Sequence, residues 1–413
     1  MTRPIEETEP AARPDPRFSK SAHSDRVDAG LAGAGLTGAE RAEARRYGRI
    51  SLATTIADIV IDLVYLGLVA FVFARPLDAW LAGFESLAGP QSVVRLMALF
   101  GVVVGLHMLV SLPLSFYDGY IVEHQFGLSN QSLLRWVRNW LIRSSLTVLL
   151  GGAMYALLYW LMWQTGDYWW LIAAAVFFVI SVVLGQLAPV LIVPLFYKVE
   201  RIDNLDLAER MKRLAEGTGL AIEGVYRMGL SADTKKANAM LAGLGRTRRV
   251  LMGDTLLEEF SGEEIEVIFA HEIGHHVHRH IPKLIATGVV FSILGFWLCD
   301  RLIVWWAGIP GAASAPTSSL PVLMLGLAVF QLLLGPLQNA ISRHYERQCD
   351  RYALERTRDP AAYTSAFEKL ARLNKADPDP HPLEVFLLHS HPPIAARLAL
   401  AGEFRASDSP ASR

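Results

Sequence analysis

Two histidines four residues apart, with a glutamate beside the first, stand at His271-Glu272-Ile273-Gly274-His275. On a helix, positions i and i+4 share a face. Both imidazoles can then hold one Zn²⁺ while Glu272 reaches a water on the ion. The motif alone is moderately specific, because His276, His278 and His280 fit a solvated histidine-rich helix face equally well. A catalytic zinc site needs a third protein ligand and one open position. Glu346 and Asp350 are the candidates. Their spacing puts both carboxylates on one helical face, Glu346 to bind the ion and Asp350 to accept the second N–H of a ligand histidine. The plainer reading of Arg343–Asp350 is a charged surface helix. This ligand set predicts peptide hydrolysis by metal-activated water, with Glu272 passing a proton from the water to the leaving amine. The developing oxyanion needs a donor, for which His391 (in His389-Ser390-His391-Pro392-Pro393) and Arg397 are candidates. A substrate peptide also needs a backbone partner. Asn238 and Ala239 sit in a short strand that could present an open edge to it, although composition fits an internal strand equally.

The elements that must gather these residues are partly legible. Ser261-Gly262-Glu263-Glu264 is a capping-box pattern that starts the histidine helix. Asp206–Gly217 reads as an amphipathic helix with Leu207, Met211 and Leu214 on one face. Strand-like runs follow near Val225–Met228, Ala237–Leu241 and Arg249–Met252. Six stretches are apolar enough to cross a bilayer, which takes about 20 residues per helix. They are Leu52–Phe73, Leu96–Tyr117, Leu146–Trp163, Tyr168–Phe196, Leu284–Ala307 and Leu320–Ala340. The last two form a hairpin that returns the chain to the side it left. His275 lies just before that hairpin and Glu346 just after it, so the topology itself brings His271, His275 and Glu346 together.

Composition agrees. Hydrophobic residues make up 52% of the 413 and charged residues 19%, below the roughly 25% usual in soluble domains, so a single soluble domain is a poor reading. Lys+Arg 39 against Asp+Glu 40 gives a net charge of −1, which leaves no excess positive charge for nucleic acid. Two cysteines, Cys299 and Cys349, exclude a disulfide scaffold. Residues 77–92, 164–168 and 308–319 contain no Lys or Arg, whereas the segments alternating with them are basic. By the positive-inside rule both termini and the zinc domain lie in the cytoplasm. The expected organisation is a polar, disordered tail over 1–48, a four-span membrane module over 49–196, and a zinc peptidase domain split between 197–282 and 343–413. The transmembrane hairpin over 283–342 separates its halves. The tail lacks the apolar core of a signal peptide.

Several stretches resemble, in order, those of the type I CAAX prenyl proteases. They are Leu112-Pro113-Leu114-Ser115-Phe116-Tyr117 with Ile121–Ser132, Asn238-Ala239, Asp254-Thr255-Leu256-Leu257, the histidine helix, Ser342-Arg343 with Glu346 and Asp350, and His391-Pro392-Pro393 with Arg397. The resemblance covers nearly the whole chain from about residue 45. It implies a mainly α, polytopic fold, six or seven transmembrane helices ringing a water-filled chamber, with a small α+β zinc metallopeptidase domain. It implies one zinc per chain on His271, His275 and Glu346, Glu272 as general base, and His391 and Arg397 as substrate or transition-state contacts. The implied partners are a lipid bilayer and a peptide or protein substrate that carries an isoprenoid near its C-terminus. Two departures stand out: a polar tail replaces the family's first span, and Cys349 replaces its usual alanine. The rival functions are a heat-shock type quality-control metalloprotease, a site-2-type intramembrane protease, and a non-catalytic zinc-binding membrane chaperone. The charges Glu263, Glu264, Glu266 and Arg279 make the histidine helix too polar for the intramembrane alternative.

Overall fold

The computed structural model describes residues 35–407, apart from 90, 203, 221 and 243–247. Five helical runs among them are long and apolar enough to cross a membrane: Gly38–Ala82 (α1), Val93–Gln125 (α2), Leu133–Phe196, His280–Ala307 (α8) and Thr317–Thr357. Leu133–Phe196 is two helices, Leu133–Thr165 (α3) and Trp169–Leu191 (α4), which pack together across a turn at Gly166. Six membrane-capable helices result, in the order the hydropathy predicts. Their apolar side chains stay exposed, among them Leu109, Leu149, Trp305 and Leu333, as a lipid solvent requires. Two ionisable groups inside the spans meet each other: His107 Nε2 lies 2.7 Å from Asp62 Oδ1.

Two expectations need correction. The first helix begins at Gly38, ten residues before the expected end of the tail, because Thr37 and Glu40 form a capping box. Residues 1–34 of that tail lie outside the described residues. The stretch between the expected spans Leu96–Tyr117 and Leu146–Trp163 is also mostly helical rather than a loop, since α2 runs to Gln125 and α3 starts at Leu133 under a Ser132 cap.

The extramembrane unit holds a four-stranded sheet of Val199–Arg201 (β1), Gly224–Met228 (β2), Ala239–Ala242 (β3) and Arg249–Gly253 (β4), in the order β1-β2-β4-β3. β2 and β4 are parallel, and β1 and β3 join them antiparallel. β4 is central and buries Val250, Leu251 and Met252 in succession, the pattern of a strand covered on both faces. The helices of this unit are Leu205–Ala215 (α5), Asp254–Glu259 (α6), Gly262–Val277 (α7), Pro360–Leu373 (α10), Pro382–Leu388 (α11) and Ile394–Ser407 (α12). The helix entering it from the membrane is Leu320–Thr357 (α9). Leu207, Met211, Val250, Met252, Phe269, Ile273, Tyr363 and Phe367 share one core between sheet and helices. A second core, around Leu96, Tyr159, Trp169 and Ile303, lies among the membrane helices.

Candidate metal centre

The histidine motif occupies the second half of α7. The Ser261–Glu264 capping box starts that helix as expected. Glu264 is further held by Ser365 Oγ at 2.5 Å and Lys369 Nζ at 2.8 Å from α10. One side of α7 packs along α9, which carries Glu346 and Asp350 out of the membrane. The two helices nearly touch at Gly274, where an added Cβ would meet Cys349 Cα at 3.0 Å.

This crossing gathers the sequence-predicted ligands. Glu346 Oε2 lies 3.1 Å from His271 Nε2, and Glu346 Oε1 lies 3.3 Å from His275 Nε2. Ligand atoms on a tetrahedral Zn²⁺ at Zn–N distances near 2.0–2.1 Å are about 3.3 Å apart, so these separations fit one cation between them. Glu346 Oε2 is buried without a well-formed hydrogen bond, an oxygen turned toward the place a cation would fill. Cys349 Sγ also approaches the donor atoms of His271 and His275 to within 4.8 Å. It packs against Gly274 and lies 3.6 Å from His280 Nδ1, whereas Glu346 turns one oxygen to each imidazole. The donor set is therefore better read as two imidazoles and a carboxylate.

Behind His271 stands a buried ionic pair. His271 Nδ1 lies 2.9 Å from Asp350 Oδ1. Arg397 donates to both Asp350 oxygens, through Nε at 3.0 Å and also through Nη2, and stacks 3.8 Å from the Phe367 ring. Burial alone would lower the His271 imidazole, but its bonds to Asp350 and Glu346 outweigh burial and raise its pKa to about 9. Arg397 was expected at the substrate. It lines the same cavity as His271, Glu272 and Glu346, yet it is 8% exposed and its guanidinium is engaged by Asp350. His391, the other candidate donor, also lines that cavity, and its exposed ring reaches 3.6 Å from Glu346 Oε1.

These groups open onto a cavity of about 880 Å³ lined by His271, Glu272, His275, Glu346, His391 and the start of β3. Burial pushes the Glu272 carboxyl upward in pKa, toward the range useful to a general base. The strand order leaves β3 at the sheet edge. Ala239 pairs with Met252, and Asn238 accepts a hydrogen bond from the Gly253 N–H at 2.9 Å. Asn238 and Ala239 thus border the cavity at the edge of the sheet formed by the described residues. The lining also includes Tyr47, Ser51 and Thr55 of α1, which sequence reasoning missed. It missed His280 and Tyr363 as well: His280 Nδ1 lies 3.1 Å from His275 Nδ1, and Tyr363 is buried beside Arg397 and Asp350. The signal for Tyr47 was the capping box at Thr37. For His280 and Tyr363 no local spacing existed.

Residues 21–198 match the family model described as CAAX prenyl protease N-terminal, five membrane helices. Residues 201–404 match Peptidase family M48. The chain belongs to peptidase family M48. It is a multi-pass membrane metalloprotease resembling the CAAX prenyl proteases, a hydrolase of peptide bonds in protein substrates. CAAX prenyl protease 1 of Saccharomyces cerevisiae is 27% identical over 329 residues, 75% of this chain and 72% of its own. A CAAX prenyl protease 1 homolog of Homo sapiens is 26% identical over 362 residues, 77% of this chain and 75% of its own. The uncharacterized metalloprotease YhfN of Bacillus subtilis is 28% identical over 295 residues, 70% of this chain and 69% of its own. The crystal structure of S. mikatae Ste24p shares the fold, with a TM-score of 0.76 at 23% identity over 89% of both chains. Where the N-terminal family description counts five membrane helices, the described residues to 198 hold four long ones, α1 to α4.

Proposed function

We propose that this chain is a zinc endopeptidase that cuts near the C-terminus of prenylated, membrane-bound proteins, with the cation held by His271, His275 and Glu346. The observation that carries this reading is the carboxylate of Glu346 turned to both imidazoles at the separations of shared ligands. A zinc ion there supplies Lewis acidity to the attacking water and the scissile carbonyl. Glu272 takes the proton from the water and delivers it to the leaving amine. The edge of β3 at Asn238 and Ala239 pairs with an extended substrate backbone, and His391 donates toward the developing oxyanion. Arg397 acts at one remove: it holds Asp350, which fixes the His271 ring. The CAAX prenyl protease names of the relatives support the substrate class.

The basic segments 197–283 and 343–413 and the tail before α1 support a metal domain and both termini on the cytoplasmic side. Tags at either end of the intact protein, probed from each side of the membrane, check this. The functional experiment incubates the purified protein with a prenylated CAAX peptide and an unprenylated control, with and without a chelator. Cleavage of the prenylated peptide alone, abolished by chelation and by Glu272→Ala, is expected. Equal cleavage of both peptides would move the reading to general quality control of membrane proteins.

A further inference from the structure

The two histidines that face Glu346 are braced by different chemistry. His271 leans on the charged pair of Asp350 and Arg397. His275 leans on a neutral chain. Its Nδ1 is 3.1 Å from His280 Nδ1, His280 Nε2 is 2.8 Å from Gln348 Oε1, and Gln348 Nε2 is 3.1 Å from His344 Nε2. His280 is fully buried and its ring stacks on Tyr345 at 4.2 Å, with 11° between planes. The chain reaches this position because Arg279 takes a left-handed conformation, φ 54°, between α7 and α8. That turn folds His280 back beside His275.

We infer that His280, set by Gln348, is the positioning residue of His275 and decides which of its ring nitrogens meets the metal. The inference rests on the reading of His275 as a ligand. A neutral imidazole has one N–H and one lone pair. Donation of the Gln348 amide to His344 leaves Oε1 as an acceptor, so His280 carries its proton on Nε2. His280 Nδ1 then offers a lone pair, which takes the Nδ1–H of His275. The remaining lone pair of His275 sits on Nε2, the nitrogen that faces Glu346 Oε1. Turning the Gln348 amide over reverses every step and leaves a proton on His275 Nε2, where it blocks ligation. The need for a metal-facing lone pair selects one arrangement of all four side chains. Outer partners of ligand histidines orient the ring and raise its basicity, and their loss costs roughly 10–100-fold in metal affinity.

The test measures zinc affinity by chelator competition, and the visible absorption of the cobalt-substituted protein, on the full chain in detergent. His280→Phe keeps the stacking ring but not the acceptor, and is expected to bind zinc about 10–100-fold more weakly with a changed cobalt spectrum. Gln348→Leu removes the anchor at a half-buried position and is expected to weaken zinc in the same direction. Gln348→Glu, which can only accept from His280, is expected to bind at least as tightly as the wild type. Zinc affinities of His280→Phe and Gln348→Leu within twofold of wild type would overturn the inference while leaving the ligand assignment standing. Equal weakening by Gln348→Glu and Gln348→Leu would overturn it too, by reducing the site to packing. If the wild type itself takes up no zinc, the underlying reading fails instead.

Discussion

Gly274 and Cys349 touch where α7 crosses α9, and a single methyl group on Gly274 would meet Cys349 Cα at 3.0 Å and its Cβ and Sγ at 3.2 Å. The glycine lies between the two histidines of the motif, and the cysteine between Glu346 and Asp350. The contact therefore sets the depth to which one helix sinks against the other, and with it the gap between imidazoles and carboxylate.

Gly274→Ala tests that relationship. Alanine favours a helix over glycine by about 1 kcal/mol, so an exposed glycine here would be improved by the change. Overpacking at the crossing costs about 1–3 kcal/mol and works against it. The expected net result is a lower thermal midpoint and weaker zinc binding. Chelator competition and melting of the detergent-solubilised protein read both, and an unchanged affinity would show that the crossing does not set the ligand spacing.

Arg397 is buried against Asp350, and removing one partner of a buried ion pair typically costs about 3–5 kcal/mol. Arg397→Met should destabilise the protein on that scale, and Arg397→Lys less, since the charge remains but the two-pronged fork is lost. Thermal melting ranks the three proteins. A methionine variant as stable as the wild type would mean that the pair contributes nothing to the fold.

The cap of α7 gives a pH dependence. Burial works against a charge on Glu264, but bonds from Lys369, Ser365 and the Ser261 backbone outweigh it and hold the carboxyl below its ordinary 4.5. A carboxyl depressed in the folded state stabilises the protein above its unfolded pKa and loses that contribution as pH falls through the folded value. Glu264→Gln should be less stable than wild type by about 1–3 kcal/mol at pH 7. The gap should close as pH drops below 4.5. Melting curves from pH 3 to pH 8 would contradict this if the gap were constant.

A second junction ties the edge strand to the membrane module. Lys236, two residues before Asn238, donates to Glu123 Oε1 at 2.9 Å and to Tyr47 Oη at 3.0 Å, while Tyr47 donates to the same carboxylate at 2.6 Å. Lys236→Met should leave Glu123 undercompensated and loosen the start of β3. Because Asn238 and Ala239 are proposed to hold substrate, the expected effect is a raised KM with a smaller change in kcat. Steady-state kinetics on a peptide substrate separates the two, and a loss confined to kcat would point to the chemical step instead.

The parts of the site that lie on one helix, or on two helices joined by a short apolar hairpin, were legible in the sequence. His271, His275 and Glu346 came from spacing plus topology, and the Ser261 cap from a four-residue pattern. What stayed hidden depends on tertiary approach. His280 follows His275 by five residues and reaches it only through the left-handed turn at Arg279. Arg397 was legible as a candidate donor at the site, but the Asp350 carboxylate that engages it is apparent only once α12 is docked. The start of α1 was masked by composition. Alanine, glycine and charged residues over 38–48 look like a solvated tail, yet Glu40 and Glu43 pair with Arg372 and Lys375 and dock that turn onto the metal domain.

Metal content of the purified protein tests the central claim most directly. Wild type and Glu272→Ala are each expected to carry one zinc per chain, and Glu346→Ala to carry none. A full complement of zinc in Glu346→Ala would contradict the joint grip of His271, His275 and Glu346.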